Sequence, residues 1–197
     1  MTPFVDLQNA ADRVAGLLPA ITEEMLDRPT PSVGVTVGDM VSHLHMLAFA
    51  FRAGAEKQPD SGPPPERPPA LVADWRTALP ERLDALVAAW RVPASREGTT
   101  SVGGVEMPAA MVAVVALNEL VVHGWDLAVA TGQPYRVDEE SVPACLGFVS
   151  PMARPEGTPG LFGPPVPVPA DAPSLHRLLG MTGRDPAWSP AGVTARP

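Results

Sequence analysis

The stretch Asn118 to Ala128, NELVVHGWDLA, sets polar side chains into a segment that otherwise reads as solid core. On a helix turning about 100° per residue, with Glu119 at zero, His123 falls near 40° and Asp126 near −20°. Val112, Val115 and Ala116 share that sector in earlier turns, while Leu117, Val121 and Ala128 lie opposite. A carboxylate buried there without a partner costs several kcal/mol, so something must compensate it. Three partners are available: an arginine or lysine, the histidine itself as an i,i+4 ion pair, or a metal ion. The first is poorly supplied, because the single lysine, Lys57, lies in the Pro-rich region after the second helix and most arginines fall near helix ends or in connectors. The spacing Glu-x3-His suits a metal, since two ligands on adjacent turns plus one from a facing helix leave an open fourth position, as in catalytic zinc sites. That spacing alone has low specificity. Asp126, one turn on, is either an acceptor orienting His123 or a bound water, or a hydrogen-bonding partner of backbone near Trp125.

A second candidate stretch is MVSHLHMLAFAF. His43 and His45 are turned about 200° apart on a helix and cannot share one site. Met40 and Leu47 flank His43 on its own face, and Val41 and Phe49 flank His45, so periodicity does not choose between them. Either could equally be a core histidine bonded to a carbonyl. Just upstream, Thr36-Val37-Gly38-Asp39 has the form of a capping box, with Thr36 as N-cap and Asp39 answering it. Met40, Met46, Met107 and Met111 could line a pocket or fill core, and Trp125 could wall a pocket or pack. His176 is expected on an exposed helix surface. Cys145, in an apolar setting with no adjacent base, reads as a buried inert thiol.

The elements that must hold these side chains are marked out by 26 prolines and 17 glycines. They collect at 28–35, 58–69, 93–108 and 154–173, where helices cannot continue. Between them the reading places helices at 4–27, 36–57, 70–91, 107–131 and 138–150, and a short one at 173–181, with Pro19 breaking or kinking the first. The expected fold is all-α: an antiparallel four-helix bundle with Pro-rich connections, one domain over 1–197, its core about 4–150 and a C-terminal extension over 151–197. Residues 151–173 would wrap the bundle or touch a second subunit. GTTSVGGVEM alternates weakly and could form a small hairpin.

Composition narrows the function classes. A net charge of −8 argues against nucleic acid, which needs a positive surface. The N-terminal MTPFVDLQNAADRV has no signal-peptide pattern, and no apolar run approaches the ~20 residues of a membrane span. One cysteine permits no intrachain disulfide. A cytoplasmic protein with a small-molecule substrate, in no contact with membrane, is the expectation; a homodimer is an open possibility.

The segments TVGDMVSHL, NELVVHGWDLAVATGQP and FGPPVPVPADAPSLHRLLGMTGRDP together resemble the actinobacterial branch of the DinB-like superfamily. Within it, the chain is similar to metal-binding proteins related to the N-terminal domain of mycothiol-dependent maleylpyruvate isomerase. The resemblance implies a four-helix bundle holding a divalent metal, zinc first and nickel as the other candidate, through His43, Glu119 and His123. It selects His43 over His45. It also implies a mycothiol-like thiol as cosubstrate, activated for transfer to, or isomerisation of, a small electrophile; a bound thiol is favoured as its nucleophilic thiolate. One departure stands out: relatives commonly carry tryptophan before the TV of the first motif, where this chain has Val35. Two other classes stay open, a non-catalytic metal-binding bundle and a thiol-independent metal hydrolase or biosynthetic enzyme.

Overall fold

A computed structural model of the chain describes residues 5–60, 62–63, 65, 67–138 and 140–190. The expected helix start at Phe4 and the final residues of the extension lie outside them. Among the described residues the chain is mostly helical: α1 (Gln8–Leu17), α2 (Val37–Ala55), α3 (Trp75–Arg91), α4 (Ala109–Ala130), α5 (Ser141–Val149) and α6 (Ser174–Met181). A two-stranded sheet, β1 (Thr99–Val102) and β2 (Val105–Pro108), precedes α4.

Three differences from the sequence reading have physical causes. The first helix ends at Leu17, where Pro19 sits in a short 3-10 turn and Ile21 turns extended. The fold is not purely helical, because Gly103 and Gly104 both take positive φ, as a two-residue hairpin turn requires. Finally, α4 is long and apolar enough to cross a membrane, since its four polar residues barely dilute the Ala, Val and Leu around them. Most of it is buried inside the protein, the condition of a core helix.

Thr36 opens α2 with the capping box intact: its hydroxyl accepts from the Asp39 N–H at 3.1 Å, and Asp39 accepts from the Thr36 N–H at 3.1 Å. Asp39 is thus committed to the cap. α2 packs on α3 and α4, and α1 on the same two helices. Between them lies a core built on Val14, Leu44, Leu79, Leu86, Trp90, Leu117 and Val121. The hairpin rides on the end of α2, where Thr100 donates to the Gly54 carbonyl at 2.7 Å. A Cβ at Gly54 would stand 2.6 Å from Val102, so this approach needs glycine. α5 packs on α4 and α6 on α5, which brings the C-terminal segment back beside α4.

Candidate metal centre

Glu119, His123 and Asp126 project from one stripe of α4, as their spacing dictates. His123 Nε2 lies 3.0 Å from Glu119 Oε2. From α2, His43 Nε2 reaches to 3.9 Å of the same oxygen, too far for a hydrogen bond. The two imidazole rings stand edge to face, with centroids 5.0 Å apart. One nitrogen or oxygen from each of the three residues falls within 4.8 Å of the others. Their side chains keep some access to solvent, at 28% for His43, 19% for Glu119 and 13% for His123.

Behind His123 stands Asp126, whose side chain is 0% exposed. Its Oδ2 lies 3.0 Å from His123 Nδ1, so a proton on Nδ1 is donated to the carboxylate and Nε2 is turned toward Glu119 and His43. Asp126 is held in turn by Arg184, which donates through Nη2 at 3.1 Å and Nε at 3.5 Å. Arg184 also donates to Ser32 Oγ at 2.8 Å and to the Thr182 carbonyl at 2.8 Å. Ser32, in the 28–35 connector, completes the ring with a 3.4 Å hydrogen bond to Asp126. The sequence reading found the carboxylate and missed its cation. Arg184 is 58 residues from Asp126, on the turn after α6, and only the GRDP segment marked it.

The electrostatics follow from burial against pairing. Burial pushes the Glu119 carboxyl up, but the His123 hydrogen bond and the nearby His43 outweigh it and hold it well below the carboxylate range. Burial would lower His123, yet its bonds to Asp126 and Glu119 raise it to about 9. Burial likewise opposes ionisation of Asp126, and His123 and Arg184 reverse the sign.

The site opens on a cavity of about 860 Å³. Leu47 and Phe51 of α2, Val112 and Val115 of α4, Met107 of the hairpin and Phe148 of α5 make its apolar walls. Pro159 to Gly163 and Thr182 to Arg184 close it from the C-terminal side. Val35, the departure from the tryptophan pattern, lines it as well. Of the methionines singled out, Met107 lines the cavity, Met40 is in the core, Met111 packs on the core, and Met46 is half-buried away from it. Trp125 and Cys145 are buried outside the cavity lining, and burial pushes the Cys145 thiol up to about 12. His176 is exposed. His45 is half-buried, its backbone carbonyl accepting from Arg82 of α3 and its Nε2 without a partner.

With that geometry in view, residues 7–128 match the family of the mycothiol maleylpyruvate isomerase N-terminal domain. The chain belongs to this family. It is 28% identical over 193 residues to an uncharacterized protein of Mycobacterium tuberculosis, present in strains CDC 1551 and H37Rv, across 93% of this chain and 98% of the relative. Its fold is similar to the crystal structure of the mycothiol-dependent maleylpyruvate isomerase, with a TM-score of 0.60 at 14% identity, over 75% of this chain and 68% of that one. The family match stops short of α5 and α6, so Arg184 and the C-terminal wall of the cavity lie beyond it.

The donor set fits a divalent cation. Two imidazoles and a carboxylate on two helices are the ligand types of a three-residue zinc site with a vacant position. Tetrahedral ligands around zinc stand about 3.4 Å apart. The three donor atoms, within 4.8 Å of one another, lie at a comparable spacing.

Proposed function

We propose that the protein is a metal-dependent enzyme that activates a low-molecular-weight thiol, mycothiol-like, toward a small electrophile. In this reading His43, Glu119 and His123 hold one divalent ion, zinc first and nickel second, within a four-helix bundle formed by α1 to α4. The observation that carries it is the convergence of those three side chains at the wall of a cavity large enough for a small molecule. A divalent ion held there supplies a Lewis acid that makes a bound thiol acidic at neutral pH.

The chain's own residues do the rest. Asp126 fixes the Nδ1 proton of His123 and so leaves Nε2 as the ligand nitrogen. Arg184 balances the buried Asp126 charge, sparing the site a second uncompensated anion. Phe51, Val112 and Val115 keep the open side apolar, which limits the water beside the reacting groups. Family membership and the fold shared with an isomerase that depends on mycothiol support the choice of a thiol.

The test is metal content of protein purified without a histidine tag, beside His43→Ala and Glu119→Ala. About one equivalent of zinc or nickel, lost in both variants while the circular dichroism spectrum is kept, is expected. Absence of metal even after adding either ion would leave Glu119 and His123 as an ion pair and end the catalytic reading.

A further inference from the structure

The cavity beside the candidate metal centre says what kind of molecule it takes. Its long walls are hydrocarbon: Leu47, Phe51, Val102, Met107, Val115 and Phe148 come from α2, the hairpin, α4 and α5. The apolar lining continues to the rim, where Val33, Val105 and Leu161 stay exposed at 100%, 54% and 46%. Three separate segments thus spend solvent-exposed apolar side chains around one opening, which marks a recognition surface more than chance placement.

Charge is scarce inside. Among the described residues lining the cavity, Arg184 is the sole arginine or lysine, and Asp126 already neutralises it. A divalent ion held by Glu119 would leave one net positive charge at the inner end, enough for one anionic or soft donor atom. A ligand with two or more carboxylates would bury at least one of them against hydrocarbon with no counter-charge. Next to Glu119, Asn118 is 2% exposed and lines the same cavity, and its Oδ1 is buried with no hydrogen-bond partner. A buried acceptor left open in this way calls for a donor from the ligand.

From these features we infer that the organic substrate has an apolar, uncharged body and one hydrogen-bond donor near its head, and that it and the thiol together bring at most one negative charge to the site. Its head lies at Glu119 and Asn118, and its body lies between Phe51, Met107 and Val115. This rests on the reading that the site binds a small molecule and names the class. Dicarboxylates are excluded by the same charge count.

Straight-chain hydroxamates test it, because each carries a metal-binding head with an N–H donor and a tail of chosen length. Binding of aceto-, butano-, hexano- and octanohydroxamate to the zinc-loaded full chain is measured by calorimetry, with the monohydroxamate of succinic acid as the charged-tail comparator. Affinity is expected to rise about fourfold per methylene until the cavity is filled. The succinic compound is expected to bind at least tenfold more weakly than butanohydroxamate. Val105→Asp, at an exposed rim position that folding tolerates, and Met107→Glu, inside, should both flatten the length dependence while acetohydroxamate binding persists. A flat series in the native chain, or stronger binding of the charged tail, would overturn the inference. Should the chain take up no zinc, butanol, hexanol and octanol on the metal-free protein separate the two readings. Length-dependent stabilisation by the alcohols would sustain the apolar-body inference while the metal reading falls, and no stabilisation would overturn both.

Discussion

Replacing Asp126 by Asn keeps the shape of the side chain and removes its charge, which isolates what the buried carboxylate does. Two consequences follow from two different partners. Toward His123, the 3.0 Å contact loses its ionic acceptor, so Nε2 becomes a poorer ligand. Loss of such a partner behind a metal-bound histidine costs about 10–100-fold in metal affinity, or about 1.4–2.8 kcal/mol. Toward Arg184, whose side chain is 11% exposed, the change strands a guanidinium that keeps its contacts to Ser32 and the Thr182 carbonyl. Breaking a buried pair on one side costs about 3–5 kcal/mol, and those surviving contacts put the expected value at the low end. Arg184→Met should destabilise by a similar amount. In the double variant the two losses should fall short of their sum by more than about 1 kcal/mol, because the residues share one interaction. Zinc affinity, however, should stay low in the double variant, since His123 still lacks its carboxylate. Urea unfolding gives the stabilities and chelator competition gives the zinc affinities. A folded Asp126→Asn protein binding zinc within twofold of the native chain would refute the role assigned to Asp126.

Other expectations come from the same contacts. With His123 raised to about 9, zinc binding at pH 7 should release close to one proton from its Nε2, read by calorimetry in buffers of different ionisation enthalpy. In the metal-free protein the raised His123 contributes stability that is full below its ordinary 6.5 and lost as pH rises through about 9. The lowered Glu119 contributes above its ordinary 4.5 and is lost as pH falls below it, so the urea midpoint should be highest between those values. Gly180→Ala puts a Cβ 2.5 Å from Val168 and 2.7 Å from the Val166 carbonyl, which should cost about 1–3 kcal/mol and expose the C-terminal segment to limited proteolysis. Cys145, fully buried, should resist thiol reagents in the native chain and react once per chain in denaturant.

What the sequence disclosed about this site divides by range. Glu119, His123 and Asp126 share a stripe because helix geometry alone puts i, i+4 and i+7 together, so the wheel sufficed. Choosing between His43 and His45 depends on the packing of α2 against α4, which no local pattern holds; the family resemblance points to His43, and the structure places its Nε2 3.9 Å from Glu119 Oε2. Arg184 is out of reach for the same reason, although a carboxylate on an otherwise apolar helix already demands a cation or a metal. The hairpin is faint in the sequence because its alternation is short, yet the Gly103-Gly104 pair carries the turn signal. Pro80 shows the opposite limit: it lies inside α3, one turn from the start, where its missing N–H removes a single bond.

The position of Arg184 also gives the C-terminal segment a role beside the helices that carry His43, Glu119 and His123. Asp126 is most useful to His123 when it is ionised and withdrawn from water, and those two conditions oppose each other. A cation placed from outside α4 reconciles them, and Arg184 is that cation, delivered by the turn that follows α6 and seated against Ser32 of the opposite connector. The same segment supplies Pro159 to Gly163 to the cavity wall, so one stretch of chain both settles the charge behind the site and bounds the space in front of it. The family match ends at residue 128, so Arg184 lies outside it, while the Mycobacterium tuberculosis relative aligns over 193 residues. If the site acts as proposed, substrate choice has two separable sources. His43, Glu119 and His123 on α2 and α4 would set the chemistry, and the hairpin and C-terminal walls would set what can reach it.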